Sequence, residues 1–191
     1  MKTTIGLITP DRYFAPWEFV SSMLSLPRDY TLAVKHGARI DENRNAIFIE
    51  NRNQDALLMI DTDMVFTRND VATILRHIEE GKDYVCGMFH AGHKPHAPCV
   101  YSGYDDATRK HIPVMEEGRT EPFQIYASGL AFVAISKRLM QKLPPIPFSR
   151  LERNQILLGG DLSFSQIVRE LGFELWCDPT LKIGHVVSAI V

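Results

Sequence analysis

The tripeptide Asp61-Thr62-Asp63 closes the apolar run Leu57-Leu58-Met59-Ile60. In a parallel sheet the carboxyl ends of the strands open onto the ligand crevice. Two carboxylates at such a place are costly without a counter-cation. A hard divalent ion such as Mg²⁺ or Mn²⁺ takes oxygen ligands and bridges them to a diphosphate. Alternation along an extended segment puts Asp61 and Asp63 on one side, with Thr62 opposite. The bland alternative is a pair of loop carboxylates that make a turn or cap the next helix. On three residues alone the two readings weigh about equally.

Asp161 follows Gly159-Gly160 and opens a helical stretch. Paired glycines admit a ligand close to the backbone, and the helix dipole favours an ionised carboxylate there. That suits a general base, although capping is the commoner use of Asp at such a place. His185, in Gly184-His185-Val186, offers an imidazole ligand, or is simply a polar surface or core residue. Arg12, after the first strand, and Arg44-Asn45, ahead of the acidic strand, suit phosphate or plain solvated charge. Cys86, His90, His93, His96 and Cys99 could suggest zinc, but their spacing matches no common closed site. The Pro-, Gly- and His-rich composition of residues 90–120 fits a loop over a crevice better.

These residues need elements to hold them. Residues 4–9, 30–34, 56–60 and 84–88 read as strands, separated by helical patterns at 16–26, 40–51 and 70–80, the last capped by Thr67 or Asn69. The alternation argues for βαβ units and a mostly parallel sheet. Further on, 123–126, 131–135 and 173–177 read as extended, 137–143 and 161–171 as helices, and Asp178-Pro179 as a turn. The expected architecture is α/β, one domain over 1–191 with a loop or hairpin insertion around 90–120.

Bulk properties bound the function. A formal net charge of -2 sets up no global field for nucleic acid, so no nucleic-acid partner is expected. Three widely spaced cysteines point to reduced thiols and a cytoplasmic protein rather than a disulfide framework. The apolar run at the N-terminus is too short for a signal peptide, and no stretch approaches a membrane span.

In order along the chain, these features resemble the GT-A fold of nucleotide-sugar-dependent glycosyltransferases, a three-layer α/β/α architecture, in particular small proteins similar to glycosyltransferase family 2. The resemblance rests on Thr9-Pro10, Arg44-Asn45, the Asp-X-Asp strand Leu57 to Met64, and the glycine-containing segment Ala127 to Ile135. It continues in Gly159-Gly160-Asp161-Leu162-Ser163-Phe164, Asp178-Pro179 and Gly184-His185, spanning residues 4 to 187. It implies metal-dependent sugar transfer from a UDP- or GDP-sugar to an unknown hydroxyl acceptor. Asp61, Asp63 and His185 would hold Mn²⁺ or Mg²⁺. Thr9, Pro10, Arg12, Arg44, Asp61, Thr62, Ser128, Gly129 and Gly160 would bind the nucleotide sugar. Asp161 would be the base of an inverting reaction. One departure stands out: the family usually has Glu where this chain has Gly160. Two alternatives stay open. One is a nucleotidyltransferase acting on a sugar phosphate, against which Thr9-Pro10-Asp11-Arg12 offers no glycine-rich loop. The other is a non-catalytic nucleotide-sugar-binding module.

Overall fold

The computed structural model describes residues 1–9, 15–37, 39–115, 118–153 and 156–186. In chain order the elements are β1 (Thr3–Thr9), α1 (Trp17–Leu24), β2 (Thr31–His36), α2 (Ile40–Asn51), β3 (Ala56–Asp61), β4 (Met64–Val65), α3 (Arg68–Glu79), β5 (Tyr84–Met88), β6 (Val100–Asp105) and β7 (Lys110–Pro113). They continue as β8 (Phe123–Ile125), β9 (Ala127–Ser128), β10 (Phe132–Ser136), α4 (Lys137–Lys142), β11 (Glu152–Arg153), β12 (Ile156–Leu157), α5 (Gly160–Glu170), β13 (Leu175–Lys182) and β14 (Gly184–His185).

Period-two alternation in the central strands builds two cores. Leu57 and Met59 of β3 and Val133 and Ile135 of β10 pack with Ile47 and Phe48 of α2, Leu139 and Met140 of α4, and Phe164 and Val168 of α5. Leu58 and Ile60 of β3 and Phe132 and Ala134 of β10 pack on the other face with Phe19 of α1 and Val71, Ile74 and Ile78 of α3. The result is three layers, helix on sheet on helix. Local signals set the helix starts. Thr67 and Asp70 form a reciprocal capping box at α3, and the Ser136 hydroxyl accepts from Leu139 N–H at α4.

The main sheet has the order β2-β1-β3-β10-β5-β13-β8. β1 is parallel to β2 and β3, and β13 is parallel to β5. β10 is antiparallel to both β3 and β5, and β8 to β13. All strands except β10 and β8 thus run one way. β6, β7 and β9 form a separate three-stranded antiparallel sheet. Asp178-Pro179 departs from expectation. It lies inside β13, where the pairing with β5 slips between Asp178 and Lys182. Proline lacks the N–H a regular ladder needs, and a bulge accommodates it.

This topology brings several strand ends to one edge. Asp61 ends β3, and its N–H donates to Ala131 O, just ahead of β10 (3.0 Å). Ile183, after β13, donates to Met88 O at the end of β5 (2.8 Å). Residues carried by strands far apart in sequence therefore meet in one crevice. Among the described residues no helix is long and apolar enough to cross a membrane.

Candidate functional site

Arg44 stands at the centre of the crevice floor, on α2, and is only 3% exposed. Its Nη1 donates to Asp161 Oδ1 (2.5 Å), and its Nη2 donates to Asp61 Oδ1 (3.1 Å) and Oδ2 (3.2 Å). The other Asp161 oxygen accepts from Leu130 N–H (3.2 Å). One guanidinium therefore ties together α2, the end of β3, the start of α5 and the turn before β10. Asp161 does not cap its helix; the N-cap is Gly159, which has no side chain to offer. The neighbouring Asn45 does different work. Its amide pairs with both backbone groups of Phe148, Nδ2 donating to the carbonyl (2.8 Å) and Oδ1 accepting from the N–H (3.0 Å). That clasp fixes the proline-rich loop after α4 as one wall of the crevice.

Charge at the floor is unbalanced. Burial opposes the Arg44 charge, but Asp61 and Asp161 outweigh it and raise its pKa above the ordinary arginine range, so it is a permanent cation. Burial pushes Asp61 up to about 6; Arg44 works against this, while Asp161 and Asp63 add to it. The Asp61 side chain is 28% exposed, so water at the cavity mouth tempers the energy. A pKa raised in the folded state means the fold prefers the protonated acid. This part of the stability is complete below the ordinary Asp pKa and is lost as pH rises through about 6. Asp61→Asn mimics the protonated acid. We expect it to be more stable than the native protein at neutral pH, by up to about 3 kcal/mol, and to show a flatter pH profile between about 4 and 6. Urea unfolding from about pH 4 to neutral checks both; an unchanged profile contradicts the assignment.

Strand alternation does not reach Asp63, because β3 stops at Asp61. The chain turns there, and Asp63 meets His185 instead. Asp63 Oδ2 lies 3.0 Å from His185 Nε2, while Asp63 Oδ1 is buried with no hydrogen-bond partner among the described residues. His185 Nδ1 lies 2.9 Å from the His90 carbonyl oxygen. A carbonyl only accepts, so Nδ1 carries a proton. Nε2 then faces a carboxylate, an arrangement that is favourable only with a proton or a cation between them. Short pairing of β14 with β4, His185 opposite Met64, holds the imidazole in place, as does Val186 N–H donating to Asp63 O (2.8 Å). Gly92 makes room: a Cβ there would sit 3.0 Å from His185 Cε1. An unpartnered carboxylate oxygen beside an oriented imidazole fits a divalent cation. Among the described residues no three His, Cys, Asp or Glu side chains converge on a common metal position. The protein thus offers two adjacent donors here, with Asp61 turned to Arg44.

The remaining candidates fall in different places. Gly129 and Gly160 line the same cavity as Arg44, Asp61 and Asp161, a space of about 910 Å³, large enough for a nucleotide-sized ligand. Ser128 is fully buried. Its hydroxyl bonds to Tyr84 Oη (2.7 Å) and Gly129 O (2.8 Å), so it braces the turn from beneath. Thr62 is also buried, and its N–H donates to Ile8 O (3.3 Å). Thr9 ends β1. Pro10 and Arg12 lie outside the described residues. Sequence reasoning passed over Asp41, the Asn45 clasp, Tyr84 and Gly92. Only Asp41 carried a local signal, being spaced three residues before Arg44 on one helical face.

No family model matches the chain, and no curated protein does. Solved structures do match. A197 from STIV superposes with a TM-score of 0.66 at 20% identity, over 98% of this chain and 87% of that one. GalNAc-T7, solved with UDP, GalNAc and Mn²⁺, superposes with a TM-score of 0.70 at 13% identity, over 99% of this chain and 44% of that one. The fold is GT-A. At these identities the likeness establishes the GT-A architecture alone, and the chain spans less than half of the GalNAc-T7 chain.

Proposed function

We propose that this GT-A protein transfers a sugar from a nucleotide diphosphate sugar, UDP- or GDP-linked, to a hydroxyl acceptor, with a divalent cation bound at Asp63 and His185. The observation that carries the reading is the unpartnered Asp63 oxygen beside the oriented His185 imidazole, next to the acidic floor built on Arg44. The UDP, GalNAc and Mn²⁺ of the GalNAc-T7 structure support the choice of ligands.

In this scheme Asp63 and His185 would hold Mn²⁺ or Mg²⁺, and Asp61, seated on Arg44, would face the metal or the ribose. When bound, the cation supplies charge neutralisation to the leaving diphosphate. Arg44 fixes the two acids in place. Gly129 and Gly160 let the donor approach the backbone closely. Asp161 takes the acceptor hydroxyl proton while that oxygen bonds to the anomeric carbon. The bond from that carbon to the diphosphate oxygen breaks on the opposite face, inverting the centre. The proton rests on the Asp161 carboxylate, and nucleoside diphosphate leaves.

Incubation with UDP- and GDP-sugars and Mn²⁺ tests the scheme through its products. Nucleoside diphosphate release is expected. Pyrophosphate release identifies nucleotidyl transfer instead, and a Mn²⁺-dependent thermal shift without turnover identifies a binding module.

A further inference from the structure

Gly160 sits directly before Asp161, and a larger residue fits there only if Asp41 moves aside. A Cβ at Gly160 would collide with Oδ1 of the Asp41 carboxylate, with Cγ 3.0 Å and Oδ2 3.3 Å away. Asp41 belongs to the first turn of α2 and reaches across to α5. A carboxylate from one element thus occupies the space that a side chain at position 160 would fill.

That carboxylate is available for binding. Its side chain is 33% exposed and lines the cavity beside Gly160, Phe148 and Arg150. Its ion partner, Arg150 Nε, stands at 3.8 Å, too far for a hydrogen bond. Each Asp161 oxygen already accepts one bond, from Arg44 or Leu130, which leaves its remaining lone pairs for the acceptor proton and little capacity for further hydroxyls. Among the described residues the charges around this rim balance. Arg39 pairs with Glu42 (3.0 Å) and Arg150 with Asp41, so these residues offer no surplus charge with which to select an ionic acceptor. Ile146, 60% exposed, adds an apolar surface to the same rim. A carboxylate with no hydrogen-bond partner among the described residues, beside an apolar patch, suits a neutral carbohydrate, whose adjacent hydroxyls donate while its C–H face packs.

We infer that Asp41 binds the acceptor, a neutral sugar with adjacent hydroxyls, and holds its attacking oxygen at Asp161. This rests on the glycosyl-transfer reading above. The test uses a panel of methyl glycosides as acceptors with the UDP- or GDP-sugar that the native protein turns over. Asp41→Asn keeps the shape and removes the charge. It is expected to lower acceptor kcat/KM by about 10- to 100-fold, mainly through acceptor KM, while the thermal shift given by UDP or GDP with Mn²⁺ is unchanged. The decisive variant moves the carboxylate. Asp41→Ala lowers transfer, and Asp41→Ala combined with Gly160→Glu restores most of it, because the new side chain enters the vacated volume. Native-like transfer by Asp41→Asn overturns this inference alone, as does a double variant that folds and binds nucleotide yet transfers no better than Asp41→Ala. A native protein that gives no transfer to any glycoside and no nucleoside diphosphate overturns the glycosyl-transfer reading, and this inference with it.

Discussion

Arg44→Met is expected to lower folding stability by about 3–5 kcal/mol at neutral pH, the range for removing one partner of a buried ion pair. Methionine fills much of the arginine volume, so the loss reports charge rather than a cavity. Two carboxylates, Asp61 and Asp161, lose the cation that both now share. The sign of the pH dependence follows. Arg44 is what holds the Asp61 pKa down against burial, so its removal carries that pKa above 6. Acidifying the variant protonates Asp61 and relieves the strain, so the deficit against the native protein shrinks as pH falls from neutral towards 6 and is constant below it, where both folded proteins hold the proton. Urea unfolding at neutral and mildly acidic pH measures both parts. Arg44→Lys restores little, because one ammonium lacks the planar fork that reaches two acids at once. A variant within about 0.5 kcal/mol of native at neutral pH, the usual range for a surface change, contradicts the account. The contrast with Asp61→Asn is informative: opposite ends of one ion pair, changed singly, are expected to move stability in opposite directions.

The second large effect is on activity. Asp63→Ala and His185→Ala each remove one of the two donors proposed for the cation. Losing that charge from the leaving diphosphate is expected to reduce transfer by about a thousandfold, roughly 4 kcal/mol of barrier. Mn²⁺ titration by calorimetry should show binding to the native protein and its loss in both variants. Stability should hardly change, since the pair is partly open, with side-chain exposures of 48% and 24%. Gly92→Val offers a third route to the same end by crowding the imidazole. If Asp63→Ala turns over at the native rate with Mn²⁺ present, the metal assignment is wrong.

The sequence announces these groups unevenly. Leu57 to Asp61 is legible because an apolar run ending in acid has few uses other than a buried strand at a crevice, and Asp161 after two glycines marks a helix start. Partnership is less legible. Arg44 reads as a phosphate-binding group on general grounds, yet its guanidinium is committed to two carboxylates from segments 17 and 117 residues away. Asn45 reads as the companion of Arg44 and turns out to clasp Phe148, 103 residues on. Such pairings depend on the strand order, which no local pattern encodes. Asp178-Pro179 misleads for the opposite reason: its turn propensity is strong, and the pairing of β13 with β5 overrides it through a bulge. Gly160 is readable only as an absence until Asp41 is seen above it.

The place of β10 has a consequence for how the chain is made. β1, β2 and β3 can zip together once the first third of the chain has left the ribosome. β5 emerges next but cannot join them, because its neighbours in the sheet are β10 and β13, both synthesised later. Until Phe132–Ser136 arrives, the nascent protein carries an open edge along Leu57, Leu58 and Met59 and an orphan strand at Tyr84, Val85 and Cys86, all destined for full burial. Unpaired apolar edges of this kind recruit other chains. The antiparallel strand that completes the crevice therefore also ends the chain's most aggregation-prone interval, and a stalled or truncated product lacking it is the form most in need of a chaperone.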